Sequence, residues 1–191
     1  MTRLAPTPRA QRLSQSWVIA LFYGAMLALA IGIGHARGHA NVFFVGNDTR
    51  GVPLSAAIGL AFGVVAVFAT RLATSSWQWA RVLHQEFHAL VHQITLRDVV
   101  LLALASSVAE EALFRGALQP IIGVGPQAVL FAALHFRPRA RFYPWTLMSL
   151  AIGLLFGWVT QWRGDLAAPI VAHFTVNALN LAYISRTELR A

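Results

Sequence analysis

Long apolar stretches alternate with short polar segments along this chain of 191 residues. Residues 17–34 and 54–70 carry no charge, and each approaches the ~20 residues that an α-helix needs to cross ~30 Å of hydrocarbon. Three further apolar spans begin near Val99, Tyr143 and Leu166, and a shorter one runs from about 126 to 136. The pattern predicts an all-α polytopic bundle of about six transmembrane helices, forming one integral membrane domain over residues 1–191.

The segment from Trp77 to His92 has a different pattern, in which polar and apolar positions follow helical spacing. It predicts an amphipathic helix at the membrane interface, with Trp77 and Trp79 at the depth of the lipid headgroups. His84, His88 and His92 are four residues apart and share one stripe of that helix. A metal or haem site is one interpretation of the stripe. We favour the polar face of a surface helix, since no carboxylate second shell is evident.

The arginines test the order of the spans, because cytoplasmic loops carry an excess of basic residues. Six spans place three arginines on one side of the membrane and eleven on the side that holds both termini. The three are Arg37, Arg50 and Arg163; the eleven are Arg3, Arg9, Arg12, Arg71, Arg81, Arg97, Arg137, Arg139, Arg141, Arg186 and Arg190. We therefore expect both termini to be cytoplasmic, with the chain in a bacterial inner membrane.

Composition narrows the function classes. Hydrophobic residues make up 57% of the chain and charged residues 12%, and the mean hydropathy is +0.60, values that indicate an integral membrane protein. The formal charge is +8, but the arginines are scattered between apolar blocks and form no basic face, so we exclude a nucleic-acid partner. The absence of cysteine from the sequence excludes disulfides, thiolate metal sites and cysteine nucleophiles.

One predicted span contains two glutamates and an arginine. A charged side chain at the bilayer centre costs on the order of 2.5–3.5 kcal/mol on insertion scales, and such residues usually mark functional sites. On a helix, Glu111 and Arg115 are i and i+4 and can pair, whereas Glu110 points about 100° away. We expect Glu111 and Arg115 to form a structural ion pair, which leaves Glu110 to face a cavity and take a proton from water.

Two other spans carry polar residues in apolar surroundings, His135 on one and His173 with Asn177 on the other. His173 and Asn177 are one helical turn apart and project from the same face. With Glu110 they suit hydrolysis, in which the carboxylate activates a water, the imidazoles orient it and Asn177 donates to the oxyanion. Taken singly, each residue is equally explained as a hydrogen-bonding contact between helices.

Three motifs occur in order on successive spans: Glu110-Glu111-x-x-x-Arg115, Phe131-x-x-x-His135 and His173-x-x-x-Asn177. They resemble those of the CPBP intramembrane proteases, which include the CAAX prenyl endopeptidases and bacteriocin-processing proteins. The resemblance covers about residues 98–184, the predicted catalytic core. It implies cleavage of a peptide bond near a substrate's C-terminus, with Glu110 as general base, His135 and His173 as water-positioning groups and Asn177 at the oxyanion.

Glu110, His135 and His173 are also an adequate ligand set for Zn²⁺, and we favour a mechanism without a metal or other cofactor. The expected partners are the lipid bilayer and a protein or lipoprotein substrate with a C-terminal sorting or anchor segment. The depth of the three residues within their spans favours a site near the outer leaflet, as in the myxosortase-like branch of the family.

Two other functions use the same residues. A non-catalytic membrane scaffold or immunity protein of the same fold would recognise a partner's peptide with the polar cluster. A small transporter or proton relay would also contain buried Glu and His. The complete set of four polar residues favours the enzyme.

Overall fold

The computed structural model describes residues 8–39, 41–45 and 51–189. Its helices are α1 Pro8–Ala36, α2 Val52–Ser76, α3 Gln78–Val91, α4 Leu96–Glu111, α5 Gln119–Ile122, α6 Val124–Leu134, α7 Tyr143–Arg163 and α8 Ala167–Ile184. A π-helical segment, Ala112–Leu118, joins α4 to α5, and a 3₁₀ turn, Ala140–Phe142, precedes α7. Within the described residues the extended pairing is limited to an isolated bridge between Phe44 and Asp165. The all-α prediction is confirmed.

Four helices, α1, α2, α7 and α8, are long and apolar enough to cross a membrane. Large apolar side chains such as Leu21, Phe22 and Phe68 are 71%, 56% and 71% exposed on their outer surfaces. An exposed apolar surface of this kind is stable against lipid, so the bundle is an integral membrane structure.

The sequence predicts about six spans, and the remaining two differ in kind from these four. The continuous segment from α4 to α5 is long and apolar enough for a membrane span only when it is taken together with α3. The two are bent by 109° relative to each other. The hydropathy of the α4–α5 segment is lowered by Glu110, Glu111 and Arg115. The other, α6, has 11 residues and is ~16 Å long at ~1.5 Å per residue, too short to cross the hydrocarbon.

The interfacial helix α3 lies between α2 and α4, as its pattern predicts, with Trp77 and Trp79 exposed and stacked on each other. The polar-face interpretation of its histidine stripe is wrong for His84, which is buried. A ring nitrogen of His84 bonds the Thr187 carbonyl at 2.7 Å, and one of His88 bonds the Ile184 carbonyl. These bonds attach α3 to the C-terminal end of α8, and burial lowers the pKa of His84.

Glycines allow the closest contacts between helices. A Cβ at Gly59 would overlap the Ala168 carbonyl oxygen, so α2 and α8 pack backbone against backbone. On α7, Gly157 and Gly153 accept hydrogen bonds from the buried side chains of Gln119 and Gln127, at 2.9 and 3.0 Å. The two glycines of α7 therefore lie on a surface that packs against its neighbouring helices.

The two ends of the bundle differ. We call the end on which α3 lies the α3 face; α2 and α8 both end there, and α4 and α7 begin there. At the opposite face, residues 41–45 cross the bundle, with the Val45 amide bonded to the Gly164 carbonyl and the Leu166 amide to the Phe43 carbonyl. A Cβ at Gly116 would overlap the Val42 carbonyl oxygen, so this segment covers the π-helical segment closely.

Candidate active site

The ion pair predicted within the α4 motif is present. Arg115 Nη1 donates to Glu111 Oε1 at 3.1 Å, and both side chains are fully buried. Arg115 lies in the π-helical segment, and its guanidinium carbon is 4.3 Å from the centre of the Phe131 ring. Single π-helical turns inside α-helices are frequent at functional sites.

Glu111 has a second partner that the sequence did not reveal. His173 Nδ1 donates to Glu111 Oε1 at 2.8 Å, across 62 residues of sequence. The other ring nitrogen of His173, Nε2, lies 3.9 Å from Glu110 Oε2. Arg115, Glu111, His173 and Glu110 therefore form one connected line of charge and hydrogen bonding between α4 and α8.

Glu110 faces a cavity, as predicted. It is 8% exposed, and its Oε2 has no hydrogen-bond partner among the described residues. Tyr23 from α1 lines the same cavity and interacts with both Glu110 and Ser106. Tyr23 lies in a span without motifs, and its sequence position carries no signal of this contact.

His135 lies directly after the last residue of α6. Its Nδ1 is 2.8 Å from the Phe131 carbonyl oxygen, which can only accept, so Nδ1 carries the proton. The Phe131 ring contacts both imidazoles, with centroid distances of 4.5 Å to His135 and 6.3 Å to His173. The two histidines and this ring line the same cavity.

Asn177 lies one turn after His173 on α8 and also lines the cavity. Its Nδ2 donates to Ser106 Oγ at 3.0 Å, which fixes the carboxamide against α4. Ser106 lies four residues, about one helical turn, before Glu110, and the sequence analysis did not single it out. The structure therefore gathers all four predicted polar side chains at one cavity and adds Tyr23 and Ser106.

The cavity has a volume of about 600 Å³ and extends from Glu110 and His173 to Trp77, Trp79 and His84 at the α3 face. The segment 41–45 closes the opposite end of the bundle. The cavity therefore runs toward the arginine-rich side of the protein. This is the reverse of the outer-leaflet access that the depth argument favours.

The fit to a metal ion depends on donor geometry. In the part of the chain that the structure describes, no three His, Asp or Glu side chains lie close enough together to bind one ion. One ring nitrogen of His173 is bonded to Glu111 and one of His135 to a backbone carbonyl, which leaves one nitrogen of each for other chemistry.

The site thus consists of a buried carboxylate pair, two imidazoles and a carboxamide inside a helical membrane bundle. Residues 92–179 match the family model described as "Type II CAAX prenyl endopeptidase Rce1-like". The matched residues lie in the half of the chain that carries the motifs, and the match confirms the resemblance drawn from them.

A curated relative is the "Uncharacterized protein YpbD" of Bacillus subtilis (strain 168), which is 41% identical over 98 residues. The aligned part is 50% of this chain and 50% of YpbD, so the chain spans about half the length of the curated relative it matches. No solved structure matches the chain at a significant level.

Proposed function

We propose that the protein is an intramembrane endopeptidase that hydrolyses a peptide bond near the C-terminus or membrane anchor of a protein substrate. The observation that carries this proposal is the pair formed by Glu110 Oε2 and His173 Nε2. The two atoms are 3.9 Å apart, and the carboxylate oxygen has no hydrogen-bond partner among the described residues.

That separation is too long for a direct hydrogen bond and fits one shared water at ~2.8 Å from each atom. Because His173 Nδ1 donates to Glu111, the Nε2 of the neutral ring is an acceptor. A water that donates one proton to Glu110 and the other to His173 points a lone pair into the cavity. That lone pair is the nucleophile.

Glu111 and Arg115 have a positioning role in this proposal. Glu111 fixes the tautomer and orientation of His173, and Arg115 pairs with Glu111 in a fully buried position. Neither residue needs to touch the substrate. Their burial excludes water from the side of the site away from the cavity.

The chemical step then needs no further reactant. The water oxygen bonds to the scissile carbonyl carbon, its proton passes to Glu110, and the carbonyl oxygen becomes an oxyanion. The second Nδ2 proton of Asn177 is directed at that oxyanion, and His135 borders the same space. The C–N bond breaks as Glu110 returns its proton to the leaving nitrogen. The donor geometry described above supports this metal-free form.

The direction of the cavity bears on the substrate. It reaches the α3 face, and the arginine count favours a cytoplasmic position for that face. We propose that both termini are cytoplasmic in a bacterial inner membrane, and that a substrate tail with a sorting or anchor segment enters from that side. A substrate trimmed at the outer leaflet is not favoured.

The decisive experiment compares the C-termini of membrane proteins, by mass spectrometry, in cells with wild-type protein and with Glu110→Gln. General-base catalysis contributes ~10²–10⁴-fold, so we expect one class of uncleaved tails to accumulate in the variant. Glu86→Gln is the matched control, because Glu86 lies on α3 in a surface pair with Arg141.

Identical C-termini in cells with wild-type protein and with Glu110→Gln would contradict the protease and favour a scaffold or proton relay. Metal analysis of active purified protein and its sensitivity to chelators test the metal-free form. Activity that disappears with a chelator and returns with Zn²⁺ would replace it by a zinc mechanism through Glu110, His135 and His173.

A further inference from the structure

Most of the buried polar side-chain atoms that lack a hydrogen-bond partner among the described residues lie outside the cavity. Two of the seven are carboxylate oxygens of Glu110 and Glu111. The other five belong to residues that do not line the cavity, and they are Arg115 Nε and Nη2, Gln119 Oε1, Gln127 Oε1 and Thr160 Oγ1. An unpaired polar atom inside a membrane bundle costs free energy, so five of them in neighbouring helices indicate a bound polar ligand.

The two carboxamides meet on α7. Gln119 Nε2 donates to the Gly157 carbonyl at 2.9 Å, and Gln127 Nε2 donates to the Gly153 carbonyl at 3.0 Å. Because a carbonyl oxygen can only accept, these bonds hold the amide nitrogens on α7 and leave each Oε1 for another donor. Gln119 Oε1 and Gln127 Nε2 both lie 2.8 Å from the position that a Cβ at Gly157 would take, so the two groups are neighbours.

These groups and Arg115 occupy adjacent turns of the same helices. The guanidinium carbon of Arg115 lies 4.3 Å from the centre of the Phe131 ring and 5.7 Å from that of Phe156. Each of these three residues is followed or preceded, four residues or about one helical turn away, by a buried polar residue. We call that set the polar layer, and its members are Gln119, Gln127 and Thr160.

The chemistry of these groups identifies the ligand. Arg115 presents unused N–H donors, and the polar layer presents two carboxamide oxygens and a hydroxyl. The guanidinium disfavours a cation, and the carboxamide oxygens disfavour an anion because they would face its charge. Water is neutral, both donates and accepts, and makes about three hydrogen bonds when buried, so five atoms correspond to about two waters.

We propose that about two enclosed water molecules bind between Arg115 and the polar layer, accepting from the guanidinium and donating to the two carboxamide oxygens. They hold the side of the guanidinium that Glu111 leaves unbonded. The consequence for catalysis rests on the proposed function: the polar layer consists of positioning residues, which act on His173 through Arg115 and Glu111. Bulk solvent stays excluded, because the surrounding side chains are buried.

Gln119 also ends the π-helical segment that carries Arg115. Its backbone N–H bonds the Phe114 carbonyl, and its side chain bonds α7. The polar layer and its waters therefore link the irregular turn of the site to α7, a helix that contributes none of the four predicted catalytic side chains.

Thr160→Val tests the waters by the sign of its effect on stability, since valine has nearly the same volume. An unpaired hydroxyl can be removed without loss, so the melting temperature of the full-length chain in detergent would stay unchanged or rise. With a bound water it should fall by ~2–4 °C. Thr175→Val is the matched control, because that buried hydroxyl bonds the Val171 carbonyl of its own helix.

A fall in Tm confined to Thr160→Val supports the proposal, and an unchanged or raised Tm, or an equal fall in both variants, overturns it. A high-resolution crystal structure should show ordered water ~2.7–3.2 Å from an Arg115 nitrogen and from a carboxamide oxygen of the polar layer. Direct hydrogen bonds between Arg115 and both carboxamides would overturn the proposal as well.

Kinetics test the positioning role. In folded Thr160→Val, kcat for a cleavable peptide should fall ~5-fold, the effect of one ordinary hydrogen bond, with KM unchanged. Thr175→Val should keep the wild-type kcat. An unchanged kcat in Thr160→Val overturns the positioning role. Absence of cleavage by the wild-type protein counts against the proposed function instead, and the melting temperatures and the crystal structure still decide whether the waters are bound.

Discussion

Two buried polar clusters differ in how completely their hydrogen bonds are satisfied. At the opposite face, Asp165 accepts from Ser55 Oγ through one carboxylate oxygen and from the Ala167 amide through the other. Arg163 donates to Ser55 and to the Gly51 carbonyl. This cluster uses its polar atoms internally, and its effect is to join α2, α7 and α8.

The cluster around Glu110 leaves several of its buried polar atoms without hydrogen bonds. Glu110 Oε2, Glu111 Oε2 and two nitrogens of Arg115 are buried without a hydrogen-bond partner among the described residues. Unsatisfied buried groups cost free energy, and native proteins retain few of them. The first cluster satisfies its polar atoms within the fold, whereas the second leaves buried polar atoms unpaired beside the cavity that Glu110 lines.

The largest expected effect is on stability, from Arg115→Met. It leaves Glu111 as a fully buried charge whose counter-ion is gone, which costs ~3–5 kcal/mol. Denaturant unfolding in detergent measures the loss. Combining it with Glu111→Gln should recover part of the stability, because the uncompensated charge is removed. A single variant as stable as wild type would show that Glu111 takes up a proton or another partner.

A smaller loss is expected from Ser55→Ala at the opposite face. Asp165 loses one buried donor, which costs ~1–3 kcal/mol, while activity per folded molecule stays unchanged. Ser75→Ala is the control, because that exposed hydroxyl bonds Leu72 and Ser76, which both belong to α2. Reduced turnover in fully folded Ser55→Ala would erase the distinction between the two clusters.

Ser106→Ala removes a hydrogen bond from the cluster around Glu110 and tests its effect on catalysis. Asn177 loses the acceptor that orients its carboxamide, so kcat should fall about 10-fold with KM little changed. Initial-rate measurements on a cleavable peptide separate the two constants. Ser107→Ala, whose hydroxyl bonds a carbonyl of its own helix, should leave kcat unchanged.

The smallest effect is the pH dependence that arises from His84, away from both clusters. Burial lowers its pKa below the ordinary value of 6.5, so the unfolded chain binds more protons than the folded one at acidic pH. Stability is therefore full above pH 6.5 and declines as the pH falls below it. His84→Gln should flatten this slope in thermal unfolding, and the exposed His92 provides the control variant. An unchanged slope in His84→Gln would show that the pH dependence of stability arises from other groups.

The sequence was sufficient for features that depend on spacing along one helix. The Glu111–Arg115 pair is an i, i+4 contact, and the polar face shared by His173 and Asn177 follows from the same periodicity. Apolar length predicted α1, α2, α7 and α8, because a span must match the thickness of the bilayer.

Features that depend on which helices meet were out of reach. The second partner of Glu111 comes from α8, and Tyr23 reaches the site from α1. The histidine stripe of α3 was assigned to solvent because nothing local shows that α8 ends beneath it. The direction of the cavity depends on the path of residues 41–45 over Gly116, which no periodicity encodes.

The glycine contacts of α2 bear on whether the motif-bearing half of the chain can fold by itself. At Gly59 and Gly63 the helix fits against Ala168 and Thr175 with no room for a methyl group. A fragment limited to residues 92–179 would leave that surface of α8 without its complement and lack Tyr23. The motif-bearing half is thus not an autonomous unit, and co-expression of the two halves as separate polypeptides should reconstitute what neither half provides alone.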